Sequence, residues 1–155
     1  GYQIGKRIGS GRFADVHMGV DHFYGKEVAI KVEKADTEVP QLLHEVEVLR
    51  SLHRPLSPQG FTQVYDHGSD DTRGSQYLVM ELLGTRSLED VSERHFGHLS
   101  VETIVVLAKQ VLCRIEYLHS KGIVHRDIKP QQFVFGRNDK MQHLYLIDFG
   151  LSSWY

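Results

Sequence analysis

Ile123-Val124-His125-Arg126-Asp127-Ile128-Lys129-Pro130-Gln131-Gln132-Phe133 is the stretch on which the reading of this chain turns. An apolar pair leads into a His-Arg-Asp triplet. A lysine follows two residues after the aspartate, and an amide side chain stands five residues after it. The plain alternative is a charged turn between a helix and a strand. What lies on either side decides between that and a catalytic loop.

On the C-terminal side, Phe133-Val134-Phe135 and Leu144-Tyr145-Leu146-Ile147 read as a small hairpin across residues 136–143. Its second strand delivers Asp148-Phe149-Gly150, 21 residues beyond Asp127. On the N-terminal side, a long helix is expected from Val101 to Ser120, with Ser100 as its cap and Lys121-Gly122 as its end. Leu107, Ala108, Val111, Leu112, Ile115 and Leu118 give it one broad apolar face, wide enough to need partners on more than one side. Before it, Ser87-Leu88-Glu89-Asp90-Val91 opens a short helix, with early acids suited to the positive helix end.

The first half is strand-rich. Tyr2 to Gly11 alternates apolar and polar residues. It ends in Gly9-Ser10-Gly11-Arg12-Phe13-Ala14-Asp15-Val16, close to the G-x-G-x-x-G-x-V loop that covers phosphates, with Ala14 in place of the third glycine. Glycines at such a bend let backbone N–H groups approach phosphate oxygens with no Cβ in the way. Residues 16–20 and 27–32 read as strands, and the second carries Val28-Ala29-Ile30-Lys31. Pro40 suits a helix first turn, and Leu42, Val46, Leu49 and Leu52 form an amphipathic stripe after it. Glu45 and Glu47 are the acids within that stripe. Two further strands are expected at residues 61–65 and 76–80, separated by a polar turn from Asp66 to Ser75. The second runs into Glu81-Leu82-Leu83-Gly84.

Composition narrows the class. The chain has 155 residues, 41% hydrophobic and 25% charged, which suits about one globular domain. A net charge of -2 gives no sign of nucleic acid or an anionic membrane as partner. One cysteine, Cys113, permits no disulfide within the chain, as expected in a reducing compartment. No apolar run approaches the roughly 18 residues of a membrane span. Cys113, on the long helix with no activating partner in view, reads as structural.

Taken together, these motifs resemble those of eukaryotic protein kinases, and within them the casein kinase 1 group. The resemblance covers essentially the whole chain. Its most group-specific part is Glu81-Leu82-Leu83-Gly84 followed by Ser87-Leu88-Glu89-Asp90. It implies an α+β, kinase-like fold, with an N-terminal lobe of five antiparallel strands and one helix over residues 1–80. A hinge over 81–86 and the start of a helical C-terminal lobe over 87–155 would follow.

The resemblance further implies a Ser/Thr kinase of the cytoplasm or nucleus. It would use ATP and Mg²⁺ on acidic or previously phosphorylated proteins, with neither nucleic acid nor membrane as partner. Asp127 is then the catalytic base and Lys129 steadies the transferred phosphate. Lys31 contacts the phosphates and pairs with Glu45, fourteen residues on, while Glu47 is a solvated charge. Gly9, Ser10 and Gly11 cover the phosphates beside Ile8. Val16, Ala29 and Val134 enclose the base, Met80 is the gatekeeper, and Glu81 and Leu83 offer backbone groups to adenine. Asp148 and Gln132 are the metal ligands, and His125 and Phe149 belong to the internal packing.

Two departures qualify this. Gln132 stands where the pattern has asparagine, which adds a methylene to a ligand of a metal that demands oxygens at about 2.0–2.1 Å. The chain also begins with glycine and ends five residues after Gly150. That reads as a piece of a longer chain, short of the activation segment and the large C-terminal helices, and weak or inactive alone. The alternatives are a nucleotide-binding pseudokinase or a truncated product without activity.

Overall fold

The computed structural model describes residues 1–35, 37, 39–55, 58–70, 74–95 and 97–155. The first half is a five-stranded antiparallel sheet in the order β1-β2-β3-β5-β4, formed by β1 (Tyr2–Ser10), β2 (Ala14–Asp21), β3 (Lys26–Glu33), β4 (Val64–Asp70) and β5 (Ser75–Glu81). One helix, α1 (Leu42–Leu52), packs on it. This is the α+β arrangement expected. The second half holds α2 (Leu88–Arg94), α3 (Val101–Ser120) and two small sheets. In these β6 (Ile123–Val124) pairs with β9 (Ser153–Trp154), and β7 (Phe133–Phe135) with β8 (Leu144–Leu146).

The core explains how the halves are joined. Leu42, Val46, Val48, Leu49 and Leu52 of α1 are buried with Leu78 of β5, and the same cluster takes in Leu118, Ile123, Phe133, Leu144, Leu146 and Phe149. Each fully buried leucine or phenylalanine contributes about 1.5–3 kcal/mol from its removal from water. The helix that faces the sheet is therefore also packed against the segment after the hairpin. Tyr117 of α3 donates its hydroxyl to Leu52 O at 2.7 Å, and Arg114 donates Nε to Leu144 O at 3.1 Å. These bonds anchor α3 between α1 and the β7–β8 hairpin.

Three local expectations change. The strand expected at residues 61–65 starts later, at Val64, and runs on to Asp70, into the expected polar turn. Its pairing with β5 runs from Val64↔Met80 to Asp70↔Ser75, with an irregularity between Val64 and Asp66. β4 is an edge strand whose residues are half-buried except for exposed Ser69, so neither face carries an alternating apolar pattern. Phe61 is instead 2% exposed in the core and bridges Leu146. Pro40 precedes α1, which starts at Leu42 with Gln41 as its cap residue. On α3, Leu118 is buried and Leu107, Val111 and Ile115 pack partly against the core. Val101, Ile104, Val105 and Leu112 are exposed, as is Cys113.

The caps of the lower helices fall where the sequence places them. Ser87 and Asp90 form a reciprocal capping box on α2, and the Ser100 side chain accepts from Thr103 N on α3. Gly122, just beyond α3, has φ of +70°, a conformation that glycine adopts without strain. Among the described residues, no helix is long and apolar enough to cross a membrane.

Candidate active site

A cavity of about 300 Å³ opens between the sheet and the second half of the chain. Of the residues singled out from sequence, Ile8, Gly9, Ser10, Gly11, Val16, Ala29, Lys31, Glu45, Met80, Glu81, Leu83, Gln132, Val134 and Asp148 all line it. Asp127 and Lys129 lie at its margin, joined to it through Gln132.

Its roof is the β1–β2 turn. Gly11 N donates to Ala14 O at 2.8 Å, Lys34 Nζ holds Gly11 O at 2.7 Å, and Ser10 Oγ donates to Asp15 at 2.6 Å. That last bond, before any effect of burial, holds the Asp15 carboxyl below its ordinary range. A Cβ built on Gly9 would meet nothing nearer than Val16 Cβ at 3.7 Å. The fold itself thus makes no demand for glycine there, since the contact with Val16 would be an ordinary one. Ala14, by contrast, is buried within β2.

The walls are apolar: Ile8, Val16, Ala29, Met80 and Val134. At the back, Glu81 N donates to Gln63 O and Gly84 N to Phe135 O, both at 2.9 Å. Between them, among the described residues, the backbone groups of Leu83 form no hydrogen bond within the chain. Gly84 is needed for its size: a Cβ there would lie 2.8 Å from Gly136 O and 2.9 Å from Phe135 O.

The polar end is built around Lys31. Its Nζ donates to Glu45 Oε2 at 2.6 Å and to Asp148 Oδ1 at 3.1 Å. Burial alone would depress the Lys31 ammonium, but attraction to Glu45 and Asp148 outweighs it and holds the group above its ordinary range. Glu45 is 3% exposed, and its other oxygen accepts from Phe149 N at 3.4 Å, whereas Glu47 is exposed. For Asp148 burial pushes upward, and the Lys31 charge and hydrogen bonds prevail, so the carboxyl sits below its usual range.

Glu33 was not anticipated. It is 7% exposed, two residues beyond Lys31 on β3, and its Oε1 accepts from Gln41 N at 2.7 Å and Leu42 N at 3.2 Å. α1 has no cap from its own Gln41 side chain, so a strand carboxylate closes the helix N-terminus. β3 and α1 are therefore tied twice, by Glu33 at the helix start and by Lys31 to Glu45. The signal in the sequence was a lone acid at i+2 from Lys31, on the same strand face.

The loop around His125 and Asp127 is held from beneath. His125 is 2% exposed; its Nε2 donates to Ile147 O at 3.0 Å and its Nδ1 accepts from Asp127 N at 3.3 Å. These partners select the neutral ring, and burial keeps its pKa below the ordinary histidine value. The ring also meets Phe149 edge-on, with centroids 5.0 Å apart. Arg126 has φ of +66° and Asp148 also +66°. Such left-handed backbone in a non-glycine residue costs about 1–3 kcal/mol and persists only where the surroundings enforce it. Arg126 is enforced by its guanidinium, which donates to Leu151 O and, at 3.5 Å, to Ser152 O.

Asp127 Oδ2 accepts from Lys129 Nζ at 2.7 Å and from Gln132 Nε2 at 2.8 Å. Those bonds, Lys129 first, hold the Asp127 carboxyl below its ordinary range. Gln132 Nε2 also donates to Asp148 Oδ2 at 3.4 Å. Asp148 fits a hard cation: its side chain is 48% exposed, and magnesium commonly takes one or two protein carboxylates plus phosphate oxygens. Gln132 thus presents its amide nitrogen to both aspartates, while its amide oxygen, the atom expected at a metal, has no hydrogen-bond partner among the described residues.

A pocket walled by small apolar side chains, roofed by a glycine turn and ended by a lysine between two carboxylates is the site of a nucleotide-using phosphotransferase class. The protein kinase domain family model matches residues 2–155. The chain belongs to the protein kinase family.

Proposed function

We propose that this chain carries out ATP-dependent phosphoryl transfer to Ser/Thr hydroxyls of protein substrates, in the manner of the casein kinase 1 group. The observation that carries the reading is the convergence of Lys31, Glu45, Asp148, Gln132 and Asp127 at one end of a single cavity. The subgroup rests on Glu81-Leu82-Leu83-Gly84 and Ser87-Leu88-Glu89-Asp90. With it come acidic or previously phosphorylated substrates and a cytoplasmic or nuclear setting.

The adenine lies between Ala29 and Val16 above and Val134 below, its edge toward the backbone of Glu81 and Leu83. Lys31, fixed by Glu45, holds the α- and β-phosphates, and the Gly9–Gly11 turn covers them. Asp127 takes the proton of the substrate hydroxyl as its oxygen bonds to the γ-phosphorus. The bond from that phosphorus to the β-bridging oxygen breaks, and ADP keeps the electron pair. Lys129 neutralises charge on the transferred group. Asp148 would hold magnesium, which supplies charge neutralisation across the phosphates when bound.

A second reading, nucleotide binding without transfer, is favoured by Gln132 itself, which stands where the kinase pattern has asparagine. Thermal unfolding with and without MgATP tests what both share. A ligand bound only to the native state at a hundredfold excess over Kd adds about 2.7 kcal/mol of stability. An upward shift of the transition supports the site; no shift at saturating MgATP refutes it.

A further inference from the structure

We propose that His44 is a positioning residue for the polar end of this site: through Ser152 it fastens the turn after Asp148 to α1, and so keeps Glu45 and Asp148 together on Lys31. The inference deepens the nucleotide-binding reading above and rests on it. One stripe of α1 and its cap meets the Asp-Phe-Gly segment, at the i, i+3 and i+4 spacing of a helix face. Gln41 lies against Gly150, its Oε1 2.7 Å from where a Cβ would stand. His44 Nε2 donates to Ser152 O at 2.9 Å, and Glu45 Oε1 accepts from Phe149 N at 3.4 Å. A carbonyl oxygen only accepts, so Nε2 is the ring nitrogen that carries the proton.

Asp148 needs such a fastening. Its φ of +66° is left-handed, and a non-glycine residue stays there only where its surroundings hold it. The turn that follows is closed by Ser152, which is 3% exposed and donates both its N–H, at 3.0 Å, and its Oγ, at 2.6 Å, to Phe149 O. From below, Arg126 reaches Leu151 O and Ser152 O, and β9 pairs with β6. From above, among the described residues, His44 is the α1 side chain that hydrogen-bonds Ser152, and its ring meets that of Trp154 edge to face, with centroids 5.3 Å apart. Ser152 is therefore the point at which α1, the Arg126-Asp127 loop and the turn after Asp148 are joined. Glu45, next to His44 in the chain, owes its 2.6 Å pair with Lys31 to the same placement of α1. His44 does not line the cavity, so it acts on a nucleotide only through these neighbours.

The experiment compares affinity for adenosine, which needs only the apolar walls, with affinity for a non-hydrolysable ATP analogue in magnesium, which also needs Lys31 and Asp148. Both are measured by calorimetric titration of the native chain, His44→Leu and His44→Gln. His44→Leu is expected to weaken the ATP analogue about tenfold, the worth of one hydrogen bond, and to leave adenosine unchanged. His44→Gln, which keeps an N–H donor at the reach of Nε2, is expected to recover most of that loss. Equal analogue affinity in His44→Leu and the native chain overturns the proposal. So does an equal loss for adenosine, which marks a general loosening of the fold, and so does a His44→Gln that binds no better than His44→Leu. Binding of neither ligand by the native chain overturns the nucleotide-binding reading and this inference with it. If circular dichroism shows His44→Leu unfolded, His44→Asn, one methylene shorter than His44→Gln and unable to reach Ser152, takes its place with the same expectation.

Discussion

Removing the Glu33 carboxylate should loosen the helix that positions Glu45, and the structure sets the size of the effect. Glu33 accepts two N–H groups at the start of α1, at 2.7 and 3.2 Å. A hydrogen bond to a charged group is worth about 1.5–3 kcal/mol, and loss of a helix N-cap costs about 0.5–2 kcal/mol. The second bond is long and the helix start borders the cavity, so water recovers part of the loss. Glu33→Ala is therefore expected to cost about 2–3 kcal/mol, a large share of the 5–15 kcal/mol typical of a folded domain. Glu33→Gln keeps an acceptor oxygen and loses the charge, so its cost should be about half. Because Glu45 lies in the first turns of α1, the slack reaches the Lys31 pair, and nucleotide affinity should fall in the same order. Urea unfolding and nucleotide titration of the three chains measure both. If Glu33→Ala stays within about 0.5 kcal/mol of native, as ordinary surface substitutions do, the capping argument is refuted.

Lys31→Met strips the partner from Glu45, which is 3% exposed, and should cost about 3–5 kcal/mol in unfolding free energy, while Lys31→Met with Glu45→Gln recovers much of it; equal costs for the two would count against a coupled pair. Gly9→Ala should leave stability within about 0.5 kcal/mol and weaken nucleotide binding, because the new Cβ makes only ordinary contact with Val16, which like Gly9 lines the cavity. Gly84→Ala should destabilise by about 1–3 kcal/mol, since its Cβ drives into two carbonyl oxygens; the two variants are compared by urea midpoint and nucleotide Kd. Stability should also depend on His125. Its folded pKa is depressed, so its contribution is complete above about pH 6.5 and is lost as pH falls from there toward the folded value, because the unfolded chain takes up the proton first. The slope between pH 7 and 5.5 should exceed that of His125→Gln; identical slopes would remove His125 from the account.

The sheet, α1 and the β7–β8 hairpin were legible because each carries a pattern with one physical source. The strands alternate, the α1 stripe repeats at helical spacing, and glycines mark the turns. The choice of Glu45 over Glu47 agrees with their burial, since only the former faces the sheet. β4 escapes the sequence pattern because this half-buried edge strand has no apolar alternation to read, and its Asp66 and Ser69 look like turn residues. Glu33 escaped for a different reason. Its partners are backbone N–H groups eight and nine residues away, which leave no trace in side-chain pattern. Gln132 was noticed as a departure, but its hydrogen bonds to both aspartates depend on how the amide is turned, which only the folded site fixes.

The proposed role of Asp127 as the base of a phosphoryl transfer is tested at the reaction itself. The direct measurement is the transfer of radiolabelled γ-phosphate from ATP to an acidic Ser/Thr peptide, by the native chain and by Asp127→Asn at matched nucleotide occupancy. Loss of a general base costs about 10²–10⁴ in rate. A fall of that size in kcat with nucleotide affinity unchanged is what the account predicts. Transfer by Asp127→Asn at the native rate, or none by the native chain with nucleotide bound, would contradict it.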